Sequence, residues 1–193
     1  MEEKELIDRR EALKRAALML GGIAFLPAIS AVLKGCSVTP GDWTPVFLNH
    51  AQATLTEHLA EAILPRTDTP GALDAGVPAF IDRMAAEFLS ESDRDGFIAG
   101  LDAFADEVRQ ATGRPFHELS NDQKLAYITV ANREAVESEA EEMPFFLKFK
   151  EMTLIGYCNS EAGMTEHFRY MQNFGPYRGC VPLEEVGRAW AHF

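Results

Sequence analysis

The sequence predicts an all-α fold: an irregular helical bundle of about five to seven helices, followed by an extended, Gly/Pro-rich C-terminal segment. Three observations predict it. Apolar residues recur at three- and four-residue spacing from Leu55 to Gly156, and no strand-type alternation exceeds a few residues. Helix starts and stops punctuate the chain, with Pro78, Ser90 and Ser120 at starts and Pro65 and Gly113-Arg114-Pro115 at ends. The chain has 193 residues, 47% of them hydrophobic, with no internal repeat, which suits one domain with a proper core.

Taken in order, Leu55, Leu59, Ala62 and Ile63 form the first helical stripe, with Thr56 as its cap and Pro65 as its stop. Arg66-Thr67-Asp68-Thr69-Pro70-Gly71-Ala72 reads as a polar loop whose side chains bond their own backbone. A second helix opens at Gly76-Val77-Pro78 and carries Phe80, Ile81, Met84, Ala85 and Phe88 on its inward stripe. Ser90 and Asp93 open a third, with Phe97, Leu101, Phe104, Ala105 and Val108 inward. Ser120 and Gln123 make a capping box for a fourth, which presents Leu125, Ile128, Thr129 and Asn132. The acidic stretch 134–142 reads as a solvated helix end or loop. Met143-Pro144 restarts a strongly apolar helix bearing Phe145, Phe146, Phe149, Met152, Ile155 and Gly156, the expected buried centre. Beyond the turn at 160–163, short helices are predicted over 164–171 and 183–193, with an extended stretch at 173–182 between them.

The N-terminus reads as an address rather than as a structural element. Arg9-Arg10 with Leu13 and Lys14 follows the twin-arginine export pattern, departing from it at Asp8 and Ala12. The run behind it contains Gly21-Gly22 and Pro27, so it is a poor permanent membrane helix, which needs ~20 strongly apolar residues. Leu33-Lys34-Gly35-Cys36 resembles a lipoprotein box, with Lys34 out of pattern. Acylation of Cys36, cleavage after Ala31 and an uncleaved anchor all stay open; a single acylated Cys would hold the protein at a membrane surface without spanning it. The expected layout is an export signal over 1–35, a tether over 36–50 and one helical domain over 51–193. In the tether, Trp43 and Phe47 are expected to clamp onto the domain.

Net charge is −12, and residues 1–35 carry six Lys/Arg against five Asp/Glu, which leaves −13 on the remainder. Such a surface argues against nucleic acid or anionic lipid as a partner. With Cys36 set aside, Cys158 and Cys180 are an even pair in an oxidising compartment. A disulfide between them would contribute ~3 kcal/mol in the chain-entropy model; two unpaired thiols are the alternative.

The sequence offers no catalytic set. The residues three before His50, His58, His117, His167 and His192 are Phe47, Leu55, Arg114, Met164 and Ala189, so no Glu-x-x-His di-iron motif exists. Cys-x-x-Cys, Gly-x-Gly-x-x-Gly, P-loop and Gly-x-Ser-x-Gly patterns are missing too. Glu57-His58 and Glu166-His167 read as surface residues. Asp68 reads as a turn former, with an active-site acid as the alternative.

A resemblance gathers these features. The arginine leader, the stretch from Glu61-Ala62-Ile63-Leu64-Pro65 through Thr67-Asp68-Thr69-Pro70-Gly71-Ala72, and Ala75-Gly76-Val77-Pro78-x-Phe80-Ile81-Asp82 look like the gluconate 2-dehydrogenase subunit 3 family. Gly156-Tyr157-Cys158-Asn159-Ser160-Glu161 and Tyr177-Arg178-Gly179-Cys180-Val181-Pro182-Leu183 are similar to its C-terminal half. The resemblance implies a small non-catalytic subunit that binds no cofactor itself. It implies a large glucose-methanol-choline-type flavoprotein partner holding FAD and, beside it, a cytochrome c subunit with haem c. The small subunit would supply the signal read by the twin-arginine translocase, which places the complex in the periplasm, lipid-anchored if Cys36 is acylated. Thr67, Asp68, Thr69 and Pro70, with Phe174, Tyr177 and Arg178, are the expected partner surface. The competing readings are a free-standing periplasmic lipoprotein or adaptor with no flavoenzyme partner, and an enzyme in its own right.

Overall fold

The computed structural model describes residues 43–173, 175–176 and 178–191. Arg9, Arg10, Leu13, Lys14, Cys36, Phe174 and Tyr177 lie outside the described residues. The fold is all-α, as expected. Five main helices are α1 (His50–Ile63), α2 (Val77–Glu87), α3 (Glu91–Thr112), α4 (Asn121–Glu137) and α5 (Phe145–Cys158). A 3-10 turn, Phe116–Glu118, joins α3 to α4. After α5 come a π turn (Gly163–His167), β1 (Arg169–Tyr170), the one-turn helix α6 (Leu183–Val186) and β2 (Trp190–Ala191).

α1 and α5 form the centre, each packing against α2, α3 and α4 as well as against each other. Phe149 of α5 and Leu59 of α1 are both fully excluded from solvent. Aromatic rings join α3, α4 and α5. Phe104 lies edge-on to Tyr127 at 5.6 Å and to Phe116 at 5.8 Å, and Phe97 lies parallel to Phe149 at 6.5 Å. Edge and offset geometries of this kind add to the area such rings bury.

The predicted caps at Ser90 and at Ser120 with Gln123 are formed, and Gly113 ends α3 at φ 73°. At α1 the start differs. Thr56 does not cap it; Asn49 and Gln52 form a reciprocal capping box, with Asn49 seven residues before Thr56, and Thr56 is buried within the helix. Four residues expected inward face solvent: Phe88 at the end of α2, Leu125 and Thr129 on α4 and Ile155 on α5. On α5, Phe146, Phe149 and Gly156 are buried as expected, joined by Thr153 and Tyr157, and Ile155 falls outward.

The C-terminal region departs furthest from the sequence reading. The short helix expected over 164–171 is a single π turn that ends at His167, in which Phe168 N–H donates to the Gly163 carbonyl at 2.8 Å. Ser160 Oγ accepts from Gly163 N at 2.9 Å and donates to the Tyr157 carbonyl at 2.7 Å. Gly163 sits so close to that carbonyl that a Cβ there would lie 2.0 Å from it. The chain leaves extended and β1 pairs in parallel with β2, through Arg169 N–H to Ala189 O and Met171 N–H to Ala191 O. The helix predicted over 183–193 stops after one turn, at Gly187 with φ 67°.

Cys158 and Cys180 are both free, so the expected disulfide is not formed. Cys158 is half-buried as the last residue of α5, where burial pushes its thiol pKa up, whereas Cys180 lies exposed in the tail.

Candidate functional site

The loop between α1 and α2 is polar in sequence and tightly held in space. Glu61, near the end of α1, bridges its two ends: Oε1 accepts from Arg66 N–H at 3.0 Å and Oε2 from Leu73 N–H at 3.0 Å. Asp74 accepts from Gly71 N–H at 2.9 Å and from the Arg66 guanidinium. The Arg66 hydrogen bond, with that of Gly71, holds the Asp74 carboxyl below its ordinary range against the opposing effect of burial. Ala72 N–H returns to Leu64 O at 2.8 Å, and Tyr157 of α5 donates its hydroxyl to Pro70 O at 2.8 Å. Burial raises the Tyr157 phenol pKa, which keeps it a donor; its contact with Thr69 acts the other way. Gly71 is required by space, since a Cβ there would lie 2.6 Å from Arg66 N and 2.6 Å from a Glu61 oxygen.

The tip of this loop stays in solvent. Thr67 and Asp68 are exposed and Thr69 and Pro70 half-buried. Thr67 N–H bonds Thr69 O at 3.0 Å and Thr67 Oγ1 bonds Asp68 Oδ1 at 3.1 Å, so Asp68 belongs to the turn itself. Beside the tip lies an open groove of about 340 Å³, walled by residues 66–70 and Asp74 on one side and by Ala162 and Glu166 of the post-α5 turn on the other. Arg178 stands apart from it, its guanidinium 3.4 Å from Glu185 of α6.

A second polar device, missed in the sequence reading, fixes the end of the tether. Asp82 of α2 is 2% exposed and accepts three backbone N–H bonds, from Val46 at 2.7 Å, Phe47 at 3.1 Å and Leu48 at 2.8 Å. Trp43 Nε1–H donates to Glu57 Oε1 at 2.7 Å, and Trp43 and Phe47 pack against the core, as expected. The signal was present: residue 82 lies four after buried Pro78 and three before buried Ala85, on the inward face.

His58 is also not the surface residue it resembled. It is half-buried, with Nδ1 3.3 Å from Nζ of Lys124 and its ring stacked on His117 at 5.9 Å. Among the described residues, no three His, Cys, Asp or Glu side chains gather as a metal-binding group. No described helix is long and apolar enough to cross a membrane.

Fold and site together define a helical scaffold that presents one braced polar loop at its surface. The chain matches the family model described as gluconate 2-dehydrogenase subunit 3 over residues 50–176, and it belongs to that family. The loop, the inward face of α2 and all of α5 fall within the match, whereas the Tyr177–Leu183 similarity lies beyond it. No match was found among curated proteins or solved structures.

Proposed function

We propose that this protein is the small accessory subunit of an exported flavin-dependent sugar or sugar-acid dehydrogenase. The observation that carries the reading is the braced loop. Glu61, Asp74 and Tyr157 spend hydrogen bonds, three of the four half-buried, on holding residues 66–73 in one shape, yet Thr67 and Asp68 at its tip stay exposed. A preorganised surface loop binds with less ordering cost than a flexible one. Its partner is a large glucose-methanol-choline-type flavoprotein that holds FAD, and a cytochrome c subunit with haem c receives the electrons. This chain contributes docking and an address, and no cofactor.

The address is Arg9-Arg10 with Leu13 and Lys14, read by the twin-arginine translocase, which takes the assembled pair to the periplasm. Residues 1–35 serve as signal, and Cys36 is the point of lipid attachment if the box is processed. The experiment replaces Arg9 and Arg10 together by Lys and follows the large subunit. Retention of both chains in the cytoplasm is expected; normal export of the flavoprotein would overturn the reading.

A further inference from the structure

Lys124 sits at the start of α4 with only 8% of its surface exposed. A partly desolvated ammonium ordinarily faces a carboxylate, because an unpaired charge drawn away from water is costly. Lys124 forms no ion pair among the described residues; its one hydrogen-bond partner is His58 Nδ1 at 3.3 Å, with the Phe116 ring 5.9 Å from its Nζ. An ammonium only donates, so Nδ1 accepts and the His58 proton sits on Nε2. That Nε2–H makes no hydrogen bond among the described residues. Both groups line a pocket of about 450 Å³ between α1, Pro65-Arg66 and the first turn of α4, large enough for a small ligand or an inserted side chain.

The pocket's own carboxylates do not answer the charge. Both oxygens of Glu61 are engaged by backbone N–H groups of Arg66 and Leu73. Asp122 is exposed in the first turn of α4 and makes no ion pair with Lys124. Arg66, also in the lining, is already paired with Asp74, and Leu125 gives an apolar rim.

We propose that this pocket binds a carboxylate, with Lys124 as its charge partner and His58 Nε2–H as a second donor. The site shares only Arg66 with the lining of the groove beside Thr67–Pro70 and does not depend on the partner proposed above. Desolvation lowers the pKa of both Lys124 and His58, and an arriving anion relieves both. Two sources share the chemistry: an acidic side chain or C-terminus of another chain, and a free small acid.

The test titrates the full chain with sodium acetate against sodium chloride at constant ionic strength and follows the His58 ring nitrogens by NMR. A saturable shift is expected in the wild type, weakened at least tenfold in Lys124→Met and unchanged in Lys148→Met. Lys124→Gln, which keeps a polar terminus, repeats the comparison should Lys124→Met fail to fold. Titration with glycolate separates the sources. Binding at least tenfold tighter than acetate points to a free hydroxy acid, and equal binding to a protein-borne carboxylate. No saturable shift, or an equal shift in the Lys124 variants, would overturn the proposal.

Discussion

The hydroxyl of Tyr157, on α5, donates to the carbonyl of Pro70 at 2.8 Å across 87 residues of sequence. It ties the exposed loop to one of the two central helices of the fold. Loop shape and core packing are therefore one problem, and substitutions at either end should register at the other.

Tyr157→Phe removes this bond and leaves the Pro70 carbonyl without its partner. A loss of about 1 kcal/mol is expected by chemical denaturation. Amide exchange should also quicken at residues 66–72 while α5 keeps its protection. Uniform acceleration across the domain would show that the bond supports the core and not the loop.

Gly71→Ala forces a Cβ against Arg66 N and the Glu61 carboxylate. Because one of the clashing atoms is backbone, the loop has to move, at a cost of about 1–3 kcal/mol. Circular dichroism should show retained helix with a lower melting temperature. A variant as stable as the wild type would mean that the loop is not fixed by Glu61.

Asp82→Ala strands three N–H groups, at Val46, Phe47 and Leu48, that now share one carboxylate. Unsatisfied buried donors cost about 1–3 kcal/mol each, less where water can enter, so a net loss of about 2–4 kcal/mol is expected. Limited proteolysis should cut first within 43–48. Protection of that segment in the variant would contradict the clamp.

His58 gives a pH signature. Its pKa is lowered chiefly by burial, then by Lys124 and His117, with Glu57 opposing. The folded state thus binds its proton less readily than the unfolded chain, whose value is about 6.5. Stability is fully present above that value and is lost as pH falls through the lower folded one. His58→Gln should flatten this limb of the melting-temperature profile relative to the wild type, with His117, Glu118, Glu61 and Asp122 nearby left in place. An unchanged limb would assign the acid sensitivity to those groups.

Much of this was legible in sequence because it is local. Ser120 with Gln123, Ser90 and Gly113 act within one turn of the helices they bound, and the stripe of α3 needs only its own spacing. The Thr67–Gly71 loop could be located for the same reason, since its side chains bond backbone nearby. What sequence could not supply is long-range pairing. Asp82 reaches its three donors from 34 to 36 residues away, and Lys124 meets His58 across 66. The spacing puts Asp82 on the inward face of α2 but does not name its donors, and Lys124 looks like ordinary helix surface when only its neighbours are read. The C-terminal helices failed for a related reason: Gly163 and Gly187 permit backbone paths that apolar spacing does not report, and β1 finds its partner 21 positions on, between Arg169 and Trp190.

The most direct measurement is a visible spectrum of the tagged full-length protein purified from its host's envelope, beside an Asp68→Lys variant. Asp68 is exposed and bonds only within its own turn, so the variant should fold. The account predicts flavin absorption that tracks a large co-purifying polypeptide in the wild type and falls at least tenfold in the variant. A colourless single chain from wild-type cells that express the dehydrogenase would contradict it.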